Sequence, residues 1–350
     1  MMKKFLALVL ALVMVLALCA CGAKTAAPAG DGSAAADVTT YKVGVAIYQY
    51  NDNFMTLYRN EIEKYFKSLE TDTVKYELTM VDSKNDMAEQ TNQVNAFISQ
   101  GMDVVILNLV QTSSADAVIK SLVDADIPVV LINREPLGDN GDESYAGILD
   151  NAKVCYVGAD ARQSGTFQGE IVAALENKGD INGDGVVNYI MIEGDPENPD
   201  AQYRTQFSIK ALEDAGIKVN CLDDQVGNWD QTKGQELCAN ALSKYGKDVE
   251  VVFCNNDGMA LGANTAIGAA GRKGGEDIYL LGVDALTEAC ELVKSGDMAG
   301  TVLNDHIGQS HTAVDVAVEL LKGNDIQNYY WVDYTKVTAE NADDIIALFK

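Results

Sequence analysis

The sequence predicts an α/β protein with two Rossmann-like lobes, each built on a parallel sheet. Three observations carry this. Short runs such as "VVILNL" (104–109) and "IPVVLIN" (127–133) are continuously apolar, as strands covered on both faces must be. Amphipathic stretches of helical period separate the runs, and repeated strand–helix units give parallel sheets with right-handed crossovers. Finally, the units are too many for one open sheet of ordinary size.

Read from its start, the chain opens with Lys3 and Lys4, an apolar run from Phe5 to Leu18, and "LCAC" ending at Cys21. A charged start, a short apolar stretch and small residues before a cysteine resemble a bacterial lipoprotein signal. That resemblance implies cleavage after residue 20 and a lipid on Cys21. The run is short of the roughly 20 residues a spanning helix needs. Residues 21–40 hold small and polar types without period and read as a flexible tether.

The strand runs of the body are 43–48, 104–109, 127–133, 188–194, 249–254 and 278–283, with "GTVL" as a shorter one. Helical patterns lie between them. In 55–69, Met55, Tyr58, Ile62, Tyr65, Phe66 and Leu69 share a face, leaving Arg59, Glu63 and Lys67 outside. The Gly- and Asp-rich stretch 137–147, near the midpoint, suits a boundary between lobes.

Composition narrows the function. With 26 basic and 52 acidic residues, the formal charge is −26. A field of that sign repels nucleic-acid phosphates and anionic lipid. Five cysteines of the body sit singly in their segments, so at least one lacks an intrachain partner; a Cys221–Cys238 pairing stays open. Only His306 and His311 are present, too few for a histidine-based metal or triad site.

Open parallel sheets bind ligands at the carboxyl ends of their strands. Asp52 and Phe54 follow the first run, and Asn108 falls near the end of the second. Asn198, Asp200 and Arg204 follow 188–194, Asn256 follows 249–254, Asp284 follows 278–283, and Asn304 follows "GTVL". Single Asn or Asp residues there are common helix caps. Together with the rings of Phe54 and Trp229, however, they suit a polyhydroxylated ligand. A sugar hydroxyl both donates and accepts, and the C–H faces of a sugar pack on aromatic rings.

"GDINGDGVVN" (179–188) places Asp180, Asn182 and Asp184 at alternate positions, with Gly185 sixth from Asp180. That is the first half of a calcium loop, yet Met191 stands at the twelfth position, where a bidentate Glu belongs. A polar turn would look the same.

"VGVAIYQYNDNFM", "LNLVQT", "PVVLINREP", "DPENPDAQYR", "NNDGMALGA", "GVDAL" and "VKSGDMAGTVLND" resemble the bacterial galactose/glucose-binding group of type I periplasmic binding proteins, from about residue 41 to the C-terminus. The resemblance implies two lobes joined by a three-segment hinge and closing on one hexose. It divides the chain into 41–133 plus about 305–333, and 134–304 plus about 334–350. It assigns Phe54 and Trp229 as the rings sandwiching the sugar, and Asp52, Asn108, Asn198, Asp200, Arg204, Asn256, Asp284 and Asn304 as its hydrogen-bonding set. At Asn198 the group usually has His. The resemblance also implies a structural calcium ion held by Asp180, Asn182, Asp184, the carbonyl of Val186, Asn188 and the distant Glu250. Partners implied are galactose or glucose, the membrane subunits of an ABC permease and a chemoreceptor, with the receptor a monomer outside the cytoplasm.

Three other readings compete. A glycosidase would use Asp200 and Asp284 as its carboxylate pair, but no motif assigns an acid and a nucleophile. A dockerin-like module would repeat the loop and follow it with a helix. A sugar-responsive regulator would need a basic helix-turn-helix ahead of the core. Among ligands, another monosaccharide such as a pentose is the alternative to a hexose.

Overall fold

The computed structural model describes residues 37–136, 147 and 149–349. The signal segment, Cys21 and most of the tether lie outside the described residues, as does nearly all of 137–147. From Val38 onward the chain forms one compact unit containing two large parallel sheets and a two-stranded one.

The first sheet takes strands β1 (Thr39–Ile47), β2 (Val74–Asp82), β3 (Val104–Leu107), β4 (Val129–Ile132) and β5 (Val154–Gly158). A late strand, β11 (Tyr329–Trp331), completes it, in the order β11-β5-β4-β3-β1-β2, all parallel. The second sheet runs β7-β6-β8-β9, with β6 (Val187–Glu193), β7 (Val219–Val226), β8 (Val251–Cys254) and β9 (Tyr279–Leu281). Parallel bridges Leu281–Gly300 and Asp284–Leu303 extend it to β10 (Thr301–Leu303), which pairs antiparallel with β12 (Thr335–Val337). The central strands β3, β4 and β8 are buried along their whole length, because helices cover both faces.

The helices follow the expected alternation. In the first lobe α1 (Asn53–Leu69), α2 (Met87–Gln100) and α3 (Ala115–Asp124) follow β1, β2 and β3. Phe54, Tyr58, Ile62 and Phe66 of α1 are buried at four-residue spacing, so the helix presents one face to the sheet. In the second lobe come α4 (Ala161–Ala173), α5 (Pro199–Asp214), α6 (Gln231–Tyr245), α7 (Asp257–Ala269) and α8 (Thr287–Ser295). The chain returns to pack α9 (His306–Leu321) against α1, and ends with α10 (Ala342–Leu348) against α8.

The chain thus passes between sheets after β5, after β10 and between β11 and β12. One expectation is corrected here. Residues 154–158 were expected in the second lobe, but they pair with β4 in the first sheet, so the first crossing follows Gly158 rather than residue 133. The physical reason is burial: "VCYVG" is wholly buried and completes the first sheet between β4 and β11.

Close helix contact sets the position of α5. A Cβ on Gly165 would lie 2.8 Å from the Arg204 carbonyl, and one on Gly169 would lie 2.3 Å from that of Ser208. The two glycines of α4 let α5 approach backbone to backbone, which fixes where Arg204 emerges.

Candidate functional site

The carboxyl ends of both sheets face a small polar cavity of about 20 Å³, tighter than an open ligand pocket. The first lobe lines it with Tyr48, Asp52, Phe54, Met55 and Asn133; the second with Asn198, Asp200, Arg204, Trp229, Asn256 and Asp284; and Asn304 stands at the crossing. Nine of the ten residues expected to contact a sugar are therefore brought together. The exception is Asn108. It is fully buried behind the wall, accepting from the Tyr48 N–H (3.2 Å) and donating to Ile132 O and Asn133 Oδ1 (both 3.1 Å).

Three of the lining residues cap helices. Asp52 caps α1, accepting the Met55 N–H at 2.7 Å; Asn198 caps α5, accepting the Asp200 N–H at 3.0 Å; Asn256 caps α7, accepting the Met259 N–H at 2.9 Å. Capping and lining are thus the same placement: a cap at a strand's carboxyl end is aimed into the cleft.

Arg204 is the hub. Its Nη1 donates to Asn255 O (2.8 Å), and its Nη2 to Asp200 Oδ2 (3.2 Å) and the Tyr334 hydroxyl (3.0 Å). Its Nε is buried with no hydrogen-bond partner, a donor that an oxygen in the cavity would satisfy. The guanidinium lies 5.6 Å from the Trp229 ring centre. Trp229 and Asn228 both have positive φ (64° and 52°), and the indole packs where Gly194 has no side chain. A Cβ there would come within 2.0 Å of the ring. Asp284 is likewise held at φ 124°, and Asn304 Nδ2 approaches its Oδ1 at 3.4 Å. Strained backbone of this kind concentrates at ligand sites.

Burial pushes Asp200 up to about 6 and Asp284 well above the usual carboxylate range, with Arg204 opposing both shifts. Burial also raises Tyr48 far above a free phenol. Its hydroxyl donates to Asp52 Oδ2 at 2.6 Å. Three carboxylates, one guanidinium and four carboxamides thus surround the cavity, with Phe54 offered by one lobe and Trp229 by the other.

Sequence reasoning passed over Tyr48, Asn133 and Tyr334. Asn133 ends the run 127–133 and has φ 63°, so the strand-end rule applied to the other residues finds it as well. Tyr48 closes an apolar run and reads as core. Tyr334 lies in the last crossing, where no periodic signal exists.

The polar loop 180–188 is wrapped around Glu250, which is 1% exposed. Glu250 Oε1 accepts the N–H groups of Ile181 (2.7 Å) and Asn182 (2.9 Å), and Oε2 accepts that of Asn188 (2.8 Å). Asp180 accepts from Gly183 and Gly185 (2.8 and 2.9 Å), Asn182 from Asp184 (2.8 Å), and Asp184 from Val186 (2.9 Å). Met191 is buried in β6. Among the described residues no three His, Cys, Asp or Glu side chains converge as metal ligands by themselves, so a cation here would draw on carboxamide and carbonyl oxygens too. The described cysteines are free, with Cys221 exposed and Cys155, Cys238, Cys254 and Cys290 buried.

Two lobes of parallel sheet, crossed three times and closed on a polar cavity with one aromatic from each side, define a ligand-capturing receptor. Residues 43–325 match the periplasmic binding protein domain. The chain is 37% identical over 297 residues (83% of it, 85% of the relative) to the D-galactose/methyl-galactoside binding periplasmic protein MglB of Haemophilus influenzae. It is 32% identical over 312 residues (88% and 93%) to a putative rhizopine-binding protein of Rhizobium meliloti. Among solved structures, an ABC transporter solute binding protein from Bacillus halodurans C-125 with bound myo-inositol aligns with a TM-score of 0.74 and 29% identity, over 89% of this chain and 99% of that one.

The chain belongs to the periplasmic binding protein family. It is a sugar-binding, non-enzymatic component of an ABC transporter and works outside the cytoplasm.

Proposed function

We propose that this receptor captures a hexose, D-galactose or D-glucose, between its lobes and delivers it to an ABC permease. The observation that carries the reading is the cavity's donor set. Asp52, Asp200 and Asp284 accept from hydroxyls, while Arg204 Nε and the carboxamides donate to ring and hydroxyl oxygens. Phe54 and Trp229 supply apolar faces for the ring. The likeness to the galactose-binding relative supports it. Ligand touching both lobes stabilises the closed form, which the permease reads. Cys21 anchors the receptor by a lipid, the tether gives it reach, and it works as a monomer. A chemoreceptor is a second reader of the same closed form.

A cyclitol is the second reading, favoured by the solved relative with myo-inositol.

We assign the loop to a structural calcium ion. Asp180, Asn182, Asp184, the Val186 carbonyl, Asn188 and Glu250 form an all-oxygen set of the kind calcium takes. When bound, the ion would neutralise Asp180, Asp184 and the buried Glu250.

A thermal-shift screen of galactose, glucose, ribose, arabinose, xylose and myo-inositol, with and without calcium, tests these assignments. A hexose is expected to raise Tm most. A dominant response to myo-inositol would replace the hexose by a cyclitol, and a dominant pentose response would replace it by a pentose.

A further inference from the structure

We propose that Arg134 and Asp195 form a closure latch: an ion pair between the lobes that sets how long a bound ligand stays. Arg134 follows β4 of the first lobe, and Asp195 follows β6 of the second. Arg134 Nη1 lies 3.1 Å from Asp195 Oδ2, with the Arg134 side chain 0% and the Asp195 side chain 11% exposed. Among the described residues, Asp195 is the one carboxylate in ion-pair contact with this guanidinium. Its other contacts stay within the first lobe: Nη1 donates to Val110 O at 2.6 Å, and the guanidinium stacks 3.9 Å from the Tyr48 ring centre. Nε and Nη2 have no hydrogen-bond partner.

A buried cation with so few acceptors is costly unless an anion meets it. When the lobes part, both ends are hydrated and that cost disappears. The pair therefore contributes to the difference between closed and open states, which is the quantity a latch must control.

Its placement couples it to the ligand. Asp195 heads the turn 195–200, where its Oδ1 accepts the Glu197 N–H (3.0 Å) and its carbonyl accepts the Asn198 N–H (2.9 Å). The Glu197 carbonyl accepts from Thr112 Oγ1 of the first lobe at 3.2 Å. The same turn ends in Asn198 and Asp200, which line the cavity. On the other side, Arg134 stacks on Tyr48, whose hydroxyl holds Asp52 at 2.6 Å. A ligand that orders Asp200 and Asp52 thus orders the two ends of the latch.

The test compares wild type with R134Q, D195N, the double variant and R134K. The choice of probe rests on the hexose reading; the latch itself does not. Stopped-flow dissociation of D-galactose is expected to accelerate roughly 10- to 100-fold in D195N, with little change in association rate. The double variant should be no worse than the poorer single variant, and R134K should fall between R134Q and wild type. A second arm needs no ligand: spin labels on cysteines placed at exposed Lys120 and Lys210 (69% and 52%) report the distance between lobes. A Cys221→Ser background removes the one exposed thiol among the described residues. Ligand-free D195N is expected to populate longer distances than wild type. Unchanged dissociation together with unchanged distances would overturn the latch, as would fully additive single effects. If wild type binds none of D-galactose, myo-inositol and D-ribose, the sugar reading fails and the ligand-free distances decide the latch.

Discussion

Asp284 and Trp229 carry the most direct residue-level expectations. Removing Asp284 deletes a buried hydrogen-bonding carboxyl of the cavity lining, so Asp284→Ala should weaken hexose binding by about 1–2 kcal/mol in calorimetric titration. Trp229→Ala removes one wall of the cavity and should cost about 1–2 kcal/mol. Near-normal affinity in both variants would remove these residues from the site. Asp200 adds a pH signature. Burial pushes its carboxyl up to about 6, against about 3.9 for a free Asp. Between those values the folded state binds more protons than the unfolded one, so this group's contribution to stability falls as pH rises from about 4 to 6. Urea unfolding of ligand-free protein should show that decline, and Asp200→Asn should flatten it; equal slopes would contradict the assignment. The site was legible in the sequence where a polar residue followed an apolar strand, as at Asp52, Asn256 and Asp284. It was misleading at Asn108, whose position satisfies the same rule while its carboxamide braces backbone inside the wall. Tyr48 was invisible because a cavity-lining Tyr and a core Tyr give the same apolar pattern.

At the scale of elements, the central strands were readable because burial on both faces leaves an unbroken apolar run. The edge strands were not. Residues 74–82 of β2 are nearly all half-buried, and β7 carries Asn220, Asp223, Asp224 and Gln225 on the open edge of the second sheet, so neither makes such a run. The strand 154–158 was missed because it is short and follows the stretch read as a lobe boundary, although its residues are as buried as those of β4. The loop 180–188 was readable from its alternating oxygens, and its link to Glu250 is a long-range contact that spacing alone does not carry. On the proposed calcium assignment, millimolar calcium should raise Tm and chelation should lower it. Glu250→Gln should abolish that calcium response while leaving hexose affinity within about threefold. A calcium response that survives in Glu250→Gln would move the ion away from this residue.

For the whole molecule, three crossings between the sheets bring the cavity-lining residues of both lobes to one boundary. The strand-end residues of both lobes meet only because the chain returns at β11 and β12, after the second sheet is built. On the proposed function, that geometry makes capture and closure one event. The buried acids Asp200 and Asp284 favour it in one direction. Burial disfavours their charged forms in a closed empty cleft, and hydroxyls of a ligand supply the donors that offset this. The claim that matters most is therefore that a monosaccharide is what closes the cleft. Calorimetric titration of the wild-type protein at pH 7.5 with D-galactose and D-glucose tests it directly. The expected result is one hexose bound per chain, tightly enough to saturate at micromolar concentration; no heat from either sugar, at any concentration up to millimolar, would contradict it.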